Sequence, residues 1–88
     1  MADSRIIAPP GYPARVRLCL DALPGAPHQV AALLGIDPSV LSRWRAGTRA
    51  PEAPGALARA CGIEESLLVH GPTERLRVVL AGLAARAS

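Results

Sequence analysis

Glycine and proline divide this chain into short segments, and this division constrains its fold more than any other feature. Glycine readily adopts the left-handed conformation in which many helices end, and proline is tolerated in a helix mainly within the first turn. Four apolar segments are each followed by a glycine, at Gly35, Gly47, Gly62 and Gly71. The pattern predicts a series of short helices joined by tight turns.

The apolar residues within these segments recur at helical spacing. In the segment 14–23, Val16 and Leu20 fall on one side of a helix, whereas Arg15 and Arg17 are expected to face solvent. The same reasoning applies to each segment in turn. It predicts six helices, over residues 14–23, 27–34, 38–46, 54–61, 63–71 and 73–87.

The composition agrees with an all-α fold. The chain has 88 residues, enough for one small domain, and its only aromatic residues are Tyr12 and Trp44. Its core must therefore consist of Leu, Val, Ile and Ala, and no run alternates as a strand would. We predict a flexible arm over 1–12, an all-α domain over 13–71 and a further helix over 72–88.

The charge of the chain is moderately positive and unevenly distributed. Its ten basic residues are all arginine, a usage typical of GC-rich bacterial genomes, and the formal net charge is +3. Three of these arginines and no acidic residue lie between Val40 and Pro51. This charge permits an anionic partner, such as nucleic acid, without requiring one.

The cysteines and histidines indicate neither a disulfide framework nor a metal site. Cys19 and Cys61 occupy apolar helical positions, so we expect reduced thiols in a cytoplasmic protein. Together with His28 and His70 they match no zinc-ligand spacing, so no metal or other cofactor is expected. No catalytic constellation, secretory signal or membrane span is recognisable, and we expect a protein that is not an enzyme.

The third predicted helix separates two kinds of residue onto two faces. Leu41 and Trp44, with Val40 beside them, are expected to pack inward. The opposite face is narrow enough to enter a DNA major groove of about 12 Å. Its residues are small or flexible: Ser39, Ser42, Arg43 and Ala46. Alone, this pattern is more typical of an ordinary solvated helix surface.

The surrounding segment, HQVAALLGIDPSVLSRWRAGTRAP, resembles the helix-turn-helix of the Cro/C1-type repressor family, also called the XRE family. The segments LARACGI, residues 57–63, and EESLLVHG, residues 64–71, are similar to the helices that follow it, so the resemblance covers about 14–71. It implies a compact five-helix repressor-like domain. The residues that carry it are Val30, Ala31, Leu34, Gly35, Ile36, Leu41, Ser42, Arg43, Trp44, Gly47 and Pro51.

The resemblance also implies roles for individual residues. Ser39, Ser42 and Arg43 match positions that contact bases, with Arg43 suited to guanine and the serines to bases or phosphates. The start of the second helix and the loop after the third match positions that contact phosphates. The phosphate-binding residues expected at these positions are His28, Gln29, Thr48 and Arg49, and Arg45 of the third helix is expected to join them through its own charge.

The chain departs from the family pattern at several positions. Pro27 and Pro38 stand at the first positions of the second and third helices, where the family commonly has residues that contact DNA. The family usually has an acid where this chain has Arg45, and that acid pairs with a basic residue of the first helix. Two interpretations stay open: Arg45 pairs with Asp21 with the signs exchanged, or it binds phosphate. The segment 51–57 is also shorter than in the family.

The last helix allows two interpretations. Its apolar stripe is either the seam of a homodimer, flanked by arginines, or the part of the monomer that completes the core. We expect dimerisation, because a two-fold pair of modules reads a palindrome with half-sites about 34 Å apart. The stripe consists of Leu76, Val79, Leu80 and Leu83.

The leading functional hypothesis is therefore a homodimeric repressor that binds a palindromic operator in double-stranded DNA, of the kind carried by phages, plasmids and other mobile elements. Two alternatives remain. The first is the DNA-binding antitoxin of a toxin–antitoxin pair. The second is a helical protein-interaction domain that does not bind DNA.

Overall fold

The computed structural model describes residues 11–87 and confirms the all-α prediction: no strand occurs in that range. The predicted limits of the second, third and sixth helices agree with the structure, and the other three differ by one or two residues at their ends. The helices are α1 Tyr12–Ala22, α2 Pro27–Leu34, α3 Pro38–Ala46, α4 Gly55–Cys61, α5 Glu65–His70 and α6 Thr73–Ala87.

Local chemistry accounts for the limits of α2 and α3. Pro27 and Pro38 occupy the first turn of their helices, where a missing backbone N–H costs nothing. Gly35 and Gly47 close the helices with φ angles of 71° and 79°, in the left-handed region. The segment 35–37 therefore turns the chain sharply between α2 and α3, which pack against each other.

Helix α1 lies at the centre of the domain. It packs against α3, α4, α5 and α6, and three of its side chains are completely buried. The middle of its inward face consists of Val16, Cys19 and Leu20, and the buried side chains of Tyr12 and Arg15 lie toward its N-terminus. The core is thus aliphatic, as the composition predicts.

The start of α1 differs from the prediction. Most of the arm predicted over 1–12 lies outside the described residues, but Tyr12 is the first residue of α1 and is buried. Its hydroxyl donates a hydrogen bond of 2.8 Å to the main-chain oxygen of Pro51, which is also buried. Burial raises the pKa of Tyr12, so the phenol remains protonated and can donate.

Arg15 does not face solvent, contrary to the prediction. Its side chain is only 3% exposed, and its Nε and Nη2 donate to the main-chain oxygens of Leu68 and Val69 at 2.8 and 2.6 Å. Nη1 donates to Thr73 Oγ1 at 3.1 Å. The guanidinium therefore satisfies two main-chain carbonyls at the end of α5, where the helix itself offers no donor, and joins α1 to the start of α6.

Gly71, between α5 and α6, makes room for this guanidinium. Its φ of 77° lies in the left-handed region, and a Cβ built on it would lie 3.0 Å from Arg15 Nη1. A side chain at this position would both strain the backbone and crowd the buried charge.

The prediction that Leu76 and Leu80 form a dimer seam is wrong. Both are buried inside the monomer, because α6 packs on α1 and α5. The alternative interpretation, that this stripe completes the monomer's core, holds for these two residues. Val79 and Leu83 are half-buried.

Candidate nucleic-acid interface

The two faces of α3 are those predicted from the sequence. Leu41 is buried, and Trp44 is 9% exposed with its ring packed into the core. Both anchor α3 on α1 and α2. The solvent face carries no large apolar side chain and consists of Ser39, Ser42, Arg43 and Ala46, all exposed.

The beginning of this face is organised by Asp37, the N-cap of α3. Its Oδ1 accepts hydrogen bonds from the main-chain N–H of Ser39 at 2.9 Å and from the Ser39 hydroxyl at 2.8 Å. These two bonds, with the nearby positive charge of Arg43, lower the pKa of the Asp37 carboxyl. Asp37 is therefore ionised at neutral pH. Its carboxylate caps the N-terminus of α3 and accepts hydrogen bonds at an exposed position.

The hydrogen bond to Asp37 changes what Ser39 can recognise. A serine hydroxyl has one hydrogen, and in Ser39 that hydrogen is directed at Asp37. The oxygen keeps its lone pairs, so Ser39 is an acceptor. It suits the amino group of adenine or cytosine, and it is poorly suited to a phosphate oxygen, which needs a donor.

At the other end of α3, Thr48 closes the helix. Its main-chain N–H and its hydroxyl both donate to the main-chain oxygen of Arg43, at 3.1 and 3.3 Å. The predicted phosphate contact of Thr48 would require the hydroxyl to leave this carbonyl. In the structure Thr48 thus caps α3 and supports the backbone that carries Arg43.

At the start of α2, a hydrogen bond holds the side-chain amide of Gln29 in place. His28 and Gln29 are both exposed, as predicted. The Oε1 atom of Gln29 accepts the N–H of Ala26 at 2.8 Å, which satisfies one backbone donor at the start of the helix. Because the oxygen is held in this way, the NH₂ group of Gln29 is free to donate to an anion such as phosphate.

Arg45 does not lie on the solvent face with Arg43. Its Nη1 lies 4.0 Å from Asp21 Oδ1 on α1, and its Nε is buried without a hydrogen-bond partner. Asp21 also pairs with Arg17, at 3.8 Å. Of the two open interpretations, the structure supports the pair with Asp21.

Arg49 is exposed in the segment between α3 and α4. This segment is held at its other side by buried Pro51, whose carbonyl accepts the Tyr12 hydroxyl. Ala50 packs against the core. Arg49 therefore projects from a segment that is attached to α1 at Pro51. The sequence does not predict this attachment, because no local pattern links Tyr12 to Pro51.

Outside α2 and α3, the described residues form a groove on α6 and no cluster that could hold a metal ion. Among residues 11–87, no three residues of the types His, Cys, Asp and Glu lie close enough together to hold a metal ion. A shallow groove of about 260 Å³ lies on α6, lined by Val78, Val79, Gly82, Leu83 and Arg86. None of the described helices is both long and apolar enough to cross a membrane.

Comparison of the chain with protein-family models, curated proteins and solved structures found no match. Its assignment to a function therefore depends on its residues and their geometry.

Proposed function

We propose that this protein binds double-stranded DNA through a Cro/C1-type helix-turn-helix formed by α2 and α3, and acts as a homodimeric repressor rather than as an enzyme. The observation that carries this proposal is the solvent face of α3. Helix α3 is anchored by Leu41 and Trp44, and its outer side carries only small polar groups, Ala46 and one arginine. A face of this width and chemistry fits a major groove.

Two residues on this face are expected to distinguish bases. Arg43 can donate two parallel hydrogen bonds to O6 and N7 of guanine. Ser39 lies one helical turn earlier and acts as an acceptor, because its hydrogen is engaged by Asp37. It therefore selects an adenine or cytosine within one or two base pairs of that guanine. Ser42, exposed between them, contacts a base or a phosphate.

The phosphate contacts come from either side of α3. Arg49 follows α3, and His28 and Gln29 lie at the start of α2, where the backbone N–H groups also favour an anion. Each phosphate that the protein neutralises releases counterions from the DNA. The logarithm of the binding constant therefore falls linearly with the logarithm of the salt concentration, with a slope of about −0.9 per neutralised phosphate. Arg45 adds little here because it faces Asp21.

The homodimer forms through the outer side of α6. Val78 is 71% exposed, the greatest exposure among the described large hydrophobic residues, and it borders the groove with Val79 and Leu83. Packing this side of α6 against a second copy of the chain would remove its apolar surface from water and so stabilise the dimer. Light scattering at micromolar concentration is expected to give the mass of a dimer, and Val78→Asp that of a monomer. A wild-type monomer that captures an unlike protein would instead support the antitoxin alternative.

The central experiment is selection of duplex DNA from a randomised library by the full chain, followed by affinity measurements on the selected site and on a scrambled duplex. Arg43→Ala is expected to lose about 1–3 kcal/mol on the selected site and little on the scrambled one. Arg59→Ala is the matched control, since Arg59 is an exposed arginine in the last turn of α4.

Three outcomes would count against the proposal. Selection without any enriched sequence would favour a protein-interaction domain. Equal losses for Arg43→Ala on both duplexes would show that Arg43 contacts only phosphate. Equal losses for the Arg43 and Arg59 variants would show that general charge, and not the face of α3, determines binding.

A further inference from the structure

The two cysteines of the chain meet in the core, although they are far apart in sequence. Cys19 lies on α1 and Cys61 at the end of α4, and these helices pack against each other. The Cys61 thiol donates a hydrogen bond of 3.3 Å to the main-chain oxygen of Cys19, across a separation of 42 residues. Both thiols are free in the structure.

The two thiols are not equivalent. Cys19 is completely buried, whereas Cys61 is half-buried and reachable from solvent. The two thiols also lie close enough together for each to affect the ionisation of the other. This contact, together with burial, raises the pKa of Cys19, whereas the pKa of Cys61 is lowered because its thiolate accepts the Cys19 S–H. Cys61 is therefore the sulfur that ionises first and meets an oxidant first.

We propose that Cys61 and Cys19 form an oxidation site, at which a peroxide converts the two thiols into a disulfide that joins α4 to α1 within one folded monomer. The structure described above is then the reduced form. The site depends only on the packing of α1 against α4, and not on the proposed binding of DNA.

The chemistry balances with one molecule of hydrogen peroxide. The Cys61 thiolate attacks one peroxide oxygen, the O–O bond breaks, and the departing hydroxide takes a proton to become water. This leaves Cys61 as a sulfenic acid. The Cys19 sulfur then attacks the Cys61 sulfur, the S–O bond breaks, and the oxygen leaves as a second water with the proton of Cys19. Two thiols are oxidised, and the peroxide is reduced to two waters.

The burial of Cys19 determines the outcome of the first step. An exposed sulfenic acid with no neighbouring thiol proceeds to a sulfinic acid or reacts with another molecule. Here the nearest sulfur is Cys19, which no external reagent reaches while the domain is folded. The intramolecular disulfide is therefore the expected product.

The test treats the full chain with one equivalent of hydrogen peroxide under native conditions, unfolds it, and alkylates the remaining thiols. The expected product is a monomer on a non-reducing gel that takes up no alkylating agent, is about 2 Da lighter than the reduced chain, and returns to two free thiols with dithiothreitol. Its far-UV circular dichroism should still be that of a helical protein.

Two variants assign the roles of the sulfurs. With dimedone present during oxidation, Cys19→Ala should give a dimedone adduct on Cys61 in place of the disulfide. Cys61→Ser should leave Cys19 unmodified until the chain is unfolded. The proposal would be overturned by disulfides between two copies of the chain, by a sulfinic acid on Cys61 beside an intact Cys19 thiol, by no reaction, or by loss of helical structure when the disulfide forms.

Discussion

Replacement of Arg15 by alanine is expected to be among the most destabilising single changes in this domain. The guanidinium is buried and pairs with no carboxylate among residues 11–87; its partners there are two main-chain carbonyls of α5 and the Thr73 hydroxyl. Removing it leaves the carbonyls of Leu68 and Val69 without their donor, in a part of the protein that water reaches poorly.

The magnitude follows from these three bonds. An orphaned buried polar group costs about 1–3 kcal/mol, so leaving the carbonyls of Leu68 and Val69 without a donor costs about 2–6 kcal/mol in total. A domain of 88 residues is stable by about 4–13 kcal/mol, so the variant loses a large share of its stability. At about 4–8 °C per kcal/mol, the melting temperature should fall by at least about 8 °C.

The assay is urea and thermal unfolding followed by far-UV circular dichroism. Arg17→Ala is the matched control, because Arg17 lies half a turn away on the same helix, is well exposed, and pairs with Asp21 at the surface. Such a pair contributes about 1 kcal/mol or less. Arg15→Met, which keeps the apolar stem, should lose nearly as much stability as Arg15→Ala. If Arg15→Ala were no less stable than Arg17→Ala, the argument that the guanidinium satisfies the end of α5 would be wrong.

Three further predictions concern the helix ends and the charges around α3. The pKa of Asp37 is lowered in the folded state, so the contribution of this carboxylate to stability is complete above the ordinary carboxyl pKa of 3.8 and is lost as the pH falls through the lower value. The free energies of unfolding of wild type and Asp37→Ala, measured in urea, should therefore converge at low pH. A difference that stays constant with pH would contradict this. A double-mutant cycle of Asp21→Asn and Arg45→Gln should give a coupling free energy of about 0.2–1 kcal/mol in unfolding. Zero coupling would favour the other interpretation, in which Arg45 binds phosphate. Tyr12→Phe should lose about 0.5–1.5 kcal/mol in thermal unfolding because it removes the donor to Pro51, and unchanged stability would show that this bond contributes nothing.

The parts of the fold that sequence predicts well are those fixed by neighbouring residues. Proline in the first turn and glycine in the left-handed region set both ends of α2 and α3, so their limits follow from local chemistry alone. The start of α1 was missed for the opposite reason. Tyr12 is buried by Pro51, which lies 39 residues away, and no local pattern indicates that contact.

The same distinction applies to buried and exposed side chains. Helical periodicity identifies the inward face of α3 because Leu41 and Trp44 are both apolar. It fails for Arg15, because an arginine that satisfies the carbonyls of another helix looks in sequence like one that faces water. It also could not decide whether Leu76 and Leu80 meet α1 and α5 or a second copy, since an apolar stripe serves either purpose.

The arginines of α3 show how far a charge count alone can mislead. Successive residues of an α-helix point about 100° apart, so Arg43 and Arg45 diverge by about 200° around the axis. Arg43 consequently shares the solvent face with Ser39, while Arg45 is directed to Asp21 on α1. Under the proposed function, Arg43 reads a base and Arg49 contacts a phosphate, whereas Arg45 holds α3 to α1. Substituting these three one at a time should therefore change sequence preference, stability and salt dependence respectively, and an equal effect of all three on salt dependence would mean that the segment acts only as a diffuse positive charge.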